Sequence, residues 1–133
     1  MKVAAVAGTN VVTCLPTTPI GEVAELILAR NIGSVVVDPA NPSKPVGIVG
    51  ERDLLKAYVA GVDPSTPVRE IMSKLIITVG ADAHIGEALL LMKEANVRRL
   101  VVTKSGELYG VAALRDVVYN IPLLKILADH FSK

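Results

Sequence analysis

The sequence predicts a mixed α+β fold made of two copies of one β-α-β-β-α unit. Three observations predict it. The chain repeats itself, residues 11–37 aligning with 76–102 at an offset of 65. Within each copy the apolar pattern passes from strand spacing to helical spacing and back. Each copy also closes on the same kind of strand-to-helix turn. The first reads Gly47-Ile48-Val49-Gly50-Glu51-Arg52-Asp53-Leu54-Leu55, and the second Gly110-Val111-Ala112-Ala113-Leu114-Arg115-Asp116-Val117-Val118.

The internal match is carried by residue identities. Thr13 pairs with Thr78, Ile20-Gly21-Glu22 with Ile85-Gly86-Glu87, Leu26 with Leu91, Asn31 with Asn96, and Val36-Val37 with Val101-Val102. The offset falls to 63 at the closing turn, because the connection Asp38–Pro45 is two residues longer than its counterpart. A length change between two strands costs little.

Taken in order, Val11–Thr13 and Ile76–Thr78 are short extended segments. Thr18 can cap a helix with Pro19 at its first position, where a missing N–H costs nothing. Ile20, Val23, Ala24 and Ile27 fall on one face of that helix, as do Ile85, Ala88, Leu89 and Met92 in the second copy. Strands Ser34–Val37 and Arg99–Val102 follow, then Val46–Val49 and Leu108–Ala112. Lys104-Ser105-Gly106-Glu107 has hairpin chemistry, whereas Asp38–Pro45 is a Pro-rich loop. A closing helix spans Arg52 to Ala60 with Gly61 as its cap, and its counterpart starts near Leu114. Gly61–Pro64 is a linker, and Thr66-Pro67 opens a short helix over 66–73. Ile121-Pro122 breaks the chain before a last helix over 122–131 that carries Leu123, Leu124, Ile126, Leu127 and Phe131.

This divides the chain into 1–61 and 62–133. A unit of ~60 residues buries only ~60% of its unfolded surface and is marginal alone. The strands Val35-Val36-Val37 and Leu100-Val101-Val102 are apolar on consecutive positions and need cover on both faces. The two units are therefore expected to pack sheet to sheet about a pseudo-two-fold axis.

Composition narrows the function. Apolar residues make up 51% of the chain, with one Phe, three Tyr and no Trp, so the core is aliphatic. A net charge of +1 argues against a nucleic-acid or membrane-surface binder, which needs a concentrated basic face. Cys14 is alone, so no intrachain disulfide forms. The apolar run Val3–Ala7 is too short for a signal-peptide core, and no run approaches the ~18 residues of a membrane span. A soluble cytoplasmic protein is expected. Catalysis is not: Cys14 has no nearby His, only His84 and His130 exist, and there is no Cys/His metal cluster or phosphate-binding Gly-rich loop.

The repeated unit, with Gly-apolar-apolar-x-x-x-Asp opening its last helix, resembles a tandem pair of CBS domains, a Bateman module. The resemblance covers residues ~8–120. The run Thr66-Pro67-Val68-Arg69-Glu70-Ile71-Met72-Ser73 resembles the lead-in to a CBS repeat, and Asn96-Val97-Arg98-Arg99-Leu100-Val101-Val102 its second strand with a basic entry. The resemblance implies a non-catalytic, stand-alone sensor module that requires no cofactor. It would bind an adenosine nucleotide between repeats, AMP first and ADP or ATP next, or else S-adenosylmethionine. It also implies a disc-shaped homodimer and regulation of a partner protein. The expected dimer surfaces are the helices at Leu54–Val59 and Leu123–Phe131. A pair without a fused effector domain is expected to act through another chain.

The residues suit that chemistry. A carboxylate presents two oxygens to the adjacent hydroxyls of a ribose, so Asp53 and Asp116 are ribose candidates. Each lies at a helix start, whose free N–H groups favour phosphate. Arg52, Arg115, Arg98 and Arg99 add positive charge. The resemblance gives Thr13 and Thr78 backbone contacts to adenine. It also places a Ser or Thr three residues before the Asp, where this chain has Gly50 and Ala113. One lost charge-assisted hydrogen bond of ~1.5–3 kcal/mol lowers affinity by ~10–100-fold. Gly33-Ser34 stands where the second repeat has Arg98-Arg99, which makes the Asp116 site the better expected phosphate site. Each residue also has a plainer use. An Asp in a first helical turn contributes ~0.3–1 kcal/mol without any ligand. Thr13 and Thr78 can be strand residues, and Arg98 or Arg99 a solvated charge. His84 serves as a helix-start residue and His130 as a solvated one. Without the two hydroxyls, a ligand-free structural dimerisation module stands as the alternative.

Overall fold

The apolar triplets at Val35–Val37 and Leu100–Val102 become the central strands of two three-stranded sheets in a computed structural model, whose described residues are 1–120 and 129–131. Contacts group 11–76 as one unit and 1–10 with 77–133 as the other, whereas the division read from sequence falls after residue 61.

In the unit 11–76, β1 (Thr13–Cys14) runs parallel to β2 (Ser34–Val37), which pairs antiparallel with β3 (Gly47–Gly50). Helix α1 (Ile20–Arg30) makes the crossover, burying Ile20, Val23 and Ile27 at helical spacing. It stops at Asn31, whose left-handed backbone returns its N–H to the last turn. Helix α2 (Glu51–Val59) leaves directly from β3. Cys14, Val35, Val37 and Val49 share one sheet face and pack with Val23, Ile27, Ala57 and Val68. The connection β2–β3 folds around the Asp38 carboxylate, which is only 5% exposed and accepts hydrogen bonds from Ala40, Ser43 and Lys44.

The second unit repeats the plan. Strand β4 (Thr78–Gly80) is parallel to β5 (Arg99–Lys104), which pairs antiparallel with β6 (Glu107–Ala113). Helix α3 (Ile85–Ala95) crosses over and α4 (Leu114–Tyr119) follows β6. Ser105 and Gly106, both with positive φ, form the expected hairpin turn. Val79, Leu100, Val102 and Ala112 line the core face with Ala88, Met92 and Val117.

Each sheet is finished by a short segment. Val68–Glu70 is a single 3-10 turn whose Val68 is fully buried, and Ser73 then pairs with Ile48 of β3. Val3–Ala5 does the same for the other sheet: Val3 is fully buried and Gly8 pairs with Val111 of β6. The helix expected over 66–73 is therefore shorter. Pro67 is extended at ψ 139°, and the Ser73 N–H is committed to the Ile48 carbonyl. The expected Thr18 cap is also corrected. Pro19 is itself extended at ψ 142° and occupies the cap position, while the Thr18 hydroxyl accepts from the Leu15 N–H. The helix expected over 122–131 lies almost wholly outside the described residues.

Candidate functional site

The candidate residues gather at the two junctions where a strand becomes a helix. Pleat and register decide what each junction contains. In the second unit Thr78 pairs with Val101, Val101 with Val111, and Arg99 with Ala113. Alternation puts Thr78, Arg99 and Ala113 on the sheet face opposite the core residues Leu100, Val102 and Ala112. The Leu114 N–H donates to the Arg98 carbonyl at 2.8 Å, which ties the start of β5 to the first residue of α4. Arg115 and Asp116 follow within one turn. Arg98 and Arg115 are exposed, and Arg99, Ala113 and Asp116 half-buried. The described residues thus bring Thr78, Arg98, Arg99, Ala113, Arg115 and Asp116 to one end of one sheet.

The first unit places Thr13, Ser34 and Gly50 in the equivalent row, through the pairs Thr13–Val36 and Ser34–Gly50. Arg52 is exposed and Asp53 half-buried. The two carboxylates differ in what they hold. Asp53 Oδ2 accepts from the Gly50 N–H at 2.8 Å. That is one half of a capping box, and Gly50 has no side chain to complete it. Among the described residues the start of α4 has no counterpart of this capping-box bond. There the bonds go to the Asp116 backbone carbonyl, from the Asn120 side-chain amide at 2.7 Å and the Asn120 N–H at 3.1 Å.

Two groups escaped the sequence reading. Asp38 organises a whole connection; burial alone would raise its pKa, but bonds from Ala40, Ser43 and Lys44 outweigh it and hold the carboxyl below its ordinary value. Its signal was its place at the head of a Pro-rich loop. Glu51 adds a carboxylate at the first position of α2, where the second unit has Leu114. That difference was visible in the aligned turns.

Cys14 gains no nucleophilic character. Burial pushes its thiol up to about 11; the Thr18 side chain lowers it and Glu22 raises it further. A depression of about 500 Å³ lies along the outer side of α2, lined by Arg52, Leu55, Lys56, Val59 and Ala60. Among the described residues no group of three or more His, Cys, Asp or Glu could hold a metal ion. No helix among them is long and apolar enough to cross a membrane.

Comparison with known proteins agrees with this architecture. The CBS-domain family model matches residues 3–60 and again 68–123. A Methanopyrus kandleri protein is 36% identical over 127 residues, 93% of this chain and 64% of its own length. The CBS domain-containing protein YhcV of Bacillus subtilis is 32% identical over 113 residues, 84% of this chain and 79% of its own. A solved CBS domain protein of Pyrobaculum aerophilum, complexed with AMP, superposes with a TM-score of 0.83 at 30% identity, covering 97% of this chain and 99% of its own. The chain spans just under two thirds of the Methanopyrus relative and about a third of a Methanocaldococcus jannaschii one. With two sheets of the same order, two strand-to-helix junctions and a family model matched twice, this chain belongs to the CBS-domain family as a tandem pair.

Proposed function

We propose that this CBS pair is a non-catalytic sensor of adenosine nucleotides, with AMP as its first ligand and ADP or ATP as alternatives. The observation that carries the reading is the AMP complex of the Pyrobaculum protein, whose length this chain matches almost end to end. Local geometry supports a division of labour. The Asp116 carboxylate faces the ribose hydroxyls. Arg98, Arg99 and Arg115 balance phosphate charge, and the backbone at Thr78 or Thr13 meets the adenine edge. Ala113 and Gly50 let phosphate approach without supplying a hydroxyl.

The regulatory output passes to a partner protein, and the chain works in the cytoplasm, where its ligand is found. Homodimerisation is part of the proposal. Helix α2 exposes Leu55 at 65%, Tyr58 at 83% and Val59 at 85%, more apolar surface than a short helix carries without a partner. Sedimentation showing a 14.0 kDa species at micromolar concentration removes the dimer.

The test of ligand binding is thermal unfolding with AMP, ADP, ATP, S-adenosylmethionine or NAD at millimolar concentration. A ligand at a hundred times its Kd stabilises by ~2.7 kcal/mol, which is a shift of several degrees for a domain of this size. The expected shift occurs with AMP and is lost in Asp116→Ala. A shift with S-adenosylmethionine alone replaces the ligand. Gly50 and Ala113 favour a second reading, a structural dimerisation module without ligand, and that reading stands if none of the five shifts the transition.

A further inference from the structure

We propose that His84 is a pH-sensitive clasp for the N-terminal segment: neutral, its imidazole holds residues 1–10 against the second sheet, and protonated, it lets their leading end go. The clasp is independent of nucleotide binding. It rests on how differently the two crossover helices receive the short segment that docks at each of them.

In the unit 11–76 the docking is made of backbone alone. Pro67 bridges to Pro19, the Ile20 N–H donates to the Thr66 carbonyl at 2.9 Å, and the Gly21 N–H donates to the Pro64 carbonyl at 3.0 Å. The first two N–H groups of α1 are thus satisfied by carbonyls, which do not titrate. The other unit repeats the first two contacts: Lys2 bridges to His84, and the Ile85 N–H donates to the Met1 carbonyl at 2.9 Å. The third differs. The Gly86 N–H donates to His84 Nδ1 at 2.9 Å, so the second N–H of α3 is satisfied by a side chain. Only a neutral imidazole has a ring nitrogen free to accept.

Protonation reverses that contact. Nδ1 becomes a donor facing another donor, and a full positive charge sits at the positive end of an 11-residue helix. The imidazole is exposed, so solvent protons reach it. Turning the ring away gives up the bond to the Gly86 N–H and loosens the residue to which Lys2 is bridged. The charged groups around the clasp are Lys2, whose ammonium lies 3.5 Å from the Asp82 carboxylate, the Met1 amino group, and Glu87 in the first turn of α3. Between pH 7 and pH 5 ordinary ammonium and carboxylate groups keep their charge, whereas an imidazole gains one. Beside the first docking segment, the Ser65 hydroxyl and N–H hold the Asp63 carboxyl below its ordinary value, so its charge persists over the same range. Beyond the clasp, segment 1–10 is retained by the Val3 N–H on the Ala83 carbonyl, the Ala4 N–H on the Ala81 carbonyl and the buried Val3 side chain, so it opens from its Met1 end.

The test is amide hydrogen exchange of the full chain, followed residue by residue by NMR and expressed as protection, which removes the intrinsic effect of pH. From pH 7 to pH 5 the protection of Val3 and Ile85 is expected to fall about three- to tenfold, the scale of a lost helix cap with a like charge left beside it. That of Ile20 and Gly21 is expected to stay level. His84→Asn keeps an acceptor at the cap and has no proton to gain, so it is expected to match the parent at pH 7 and to lose the pH dependence. Equal protection of Ile85 at the two pH values in the parent, the same fall at Ile20 and Gly21, or a fall that persists in His84→Asn overturns the clasp. The parent's own comparison of the two helix starts decides the matter even where the variant fails to fold.

Discussion

Replacing Gly110 by Ala tests how the N-terminal segment is held. Gly110 lies in β6 where the segment 1–10 crosses it, and a Cβ built there would overlap the Gly8 carbonyl oxygen. Carbon–oxygen contacts settle at about 3.3–3.6 Å, so segment and strand must part by roughly an ångström. That movement strains two backbone bonds, Gly8 N–H to Val111 carbonyl at 3.0 Å and Val111 N–H to Gly8 carbonyl at 3.1 Å. Each is worth about 0.5–1.5 kcal/mol net, and overpacking against rigid backbone adds about 1–3 kcal/mol. The expected loss is about 2–5 kcal/mol, out of the 5–15 that hold an ordinary domain. Two glycines serve as internal comparisons. A Cβ on Gly8 meets only the Val111 carbonyl at 3.7 Å, so Gly8→Ala should be nearly neutral. A Cβ on Gly47 overlaps the Met72 side chain and also meets the Ser73 carbonyl oxygen at 3.0 Å, so Gly47→Ala should destabilise too, and adding Met72→Ala should relieve only the side-chain part of that loss. Urea unfolding of the four variants measures all of this. If Gly110→Ala unfolds within 0.5 kcal/mol of the parent, the segment does not cross β6 as described.

Other outcomes follow from single residues. Asp38→Ala strips the acceptor from the Ala40 N–H, the Lys44 N–H and the Ser43 hydroxyl, and should destabilise by about 2–3 kcal/mol at pH 7. Because the folded pKa of Asp38 is lowered, its charge-dependent stabilisation is present above the ordinary carboxylate value of about 4 and is lost as pH falls through the folded value, so the gap between parent and variant should narrow in urea melts as the pH is lowered below about 4. The Cys14 thiol, at about 11, should react with a disulfide reagent at pH 8 about a hundredfold more slowly in the native chain than in denaturant; equal rates would place it at the surface. His84 Nδ1 accepts from the Gly86 N–H at 2.9 Å at the start of α3, so His84→Ala should cost about 0.5–1 kcal/mol in the same melts.

The parts of the fold that announce themselves in sequence are those with a period. Ile20, Val23 and Ile27 recur at helical spacing and are the buried side of α1; Val35–Val37 read as a strand needing cover and are β2. The offsets of 65 and 63 aligned the strand-to-helix junctions, which is why Asp53 and Asp116 could be paired before any coordinates. The N-terminal segment was invisible for the opposite reason. Val3–Ala5 is one turn long, too short for any periodicity, and it serves a sheet more than 70 residues away in sequence. Its relation to Val68–Glu70 appears only when both are seen against a sheet. Thr18 shows a different limit. Its hydroxyl had two uses, a helix cap or a turn bond to Leu15, and the extended Pro19 decides between them.

Within one chain, the two repeats also separate what the fold demands from what it leaves open. Corresponding core positions differ in size: Val35 corresponds to Leu100, Val49 to Ala112, and Val23 to Ala88, all buried and all apolar. Packing tolerates such exchanges when neighbouring volumes compensate. The junction positions differ in another way. Gly33, Ser34 and Glu51 against Arg98, Arg99 and Leu114 change the charge and leave the backbone path alike, strand into helix in both units. Glu51, Arg98 and Leu114 are exposed, so little in the packing selects their charge. The two halves thus share a backbone path and differ at these positions by three units of formal charge.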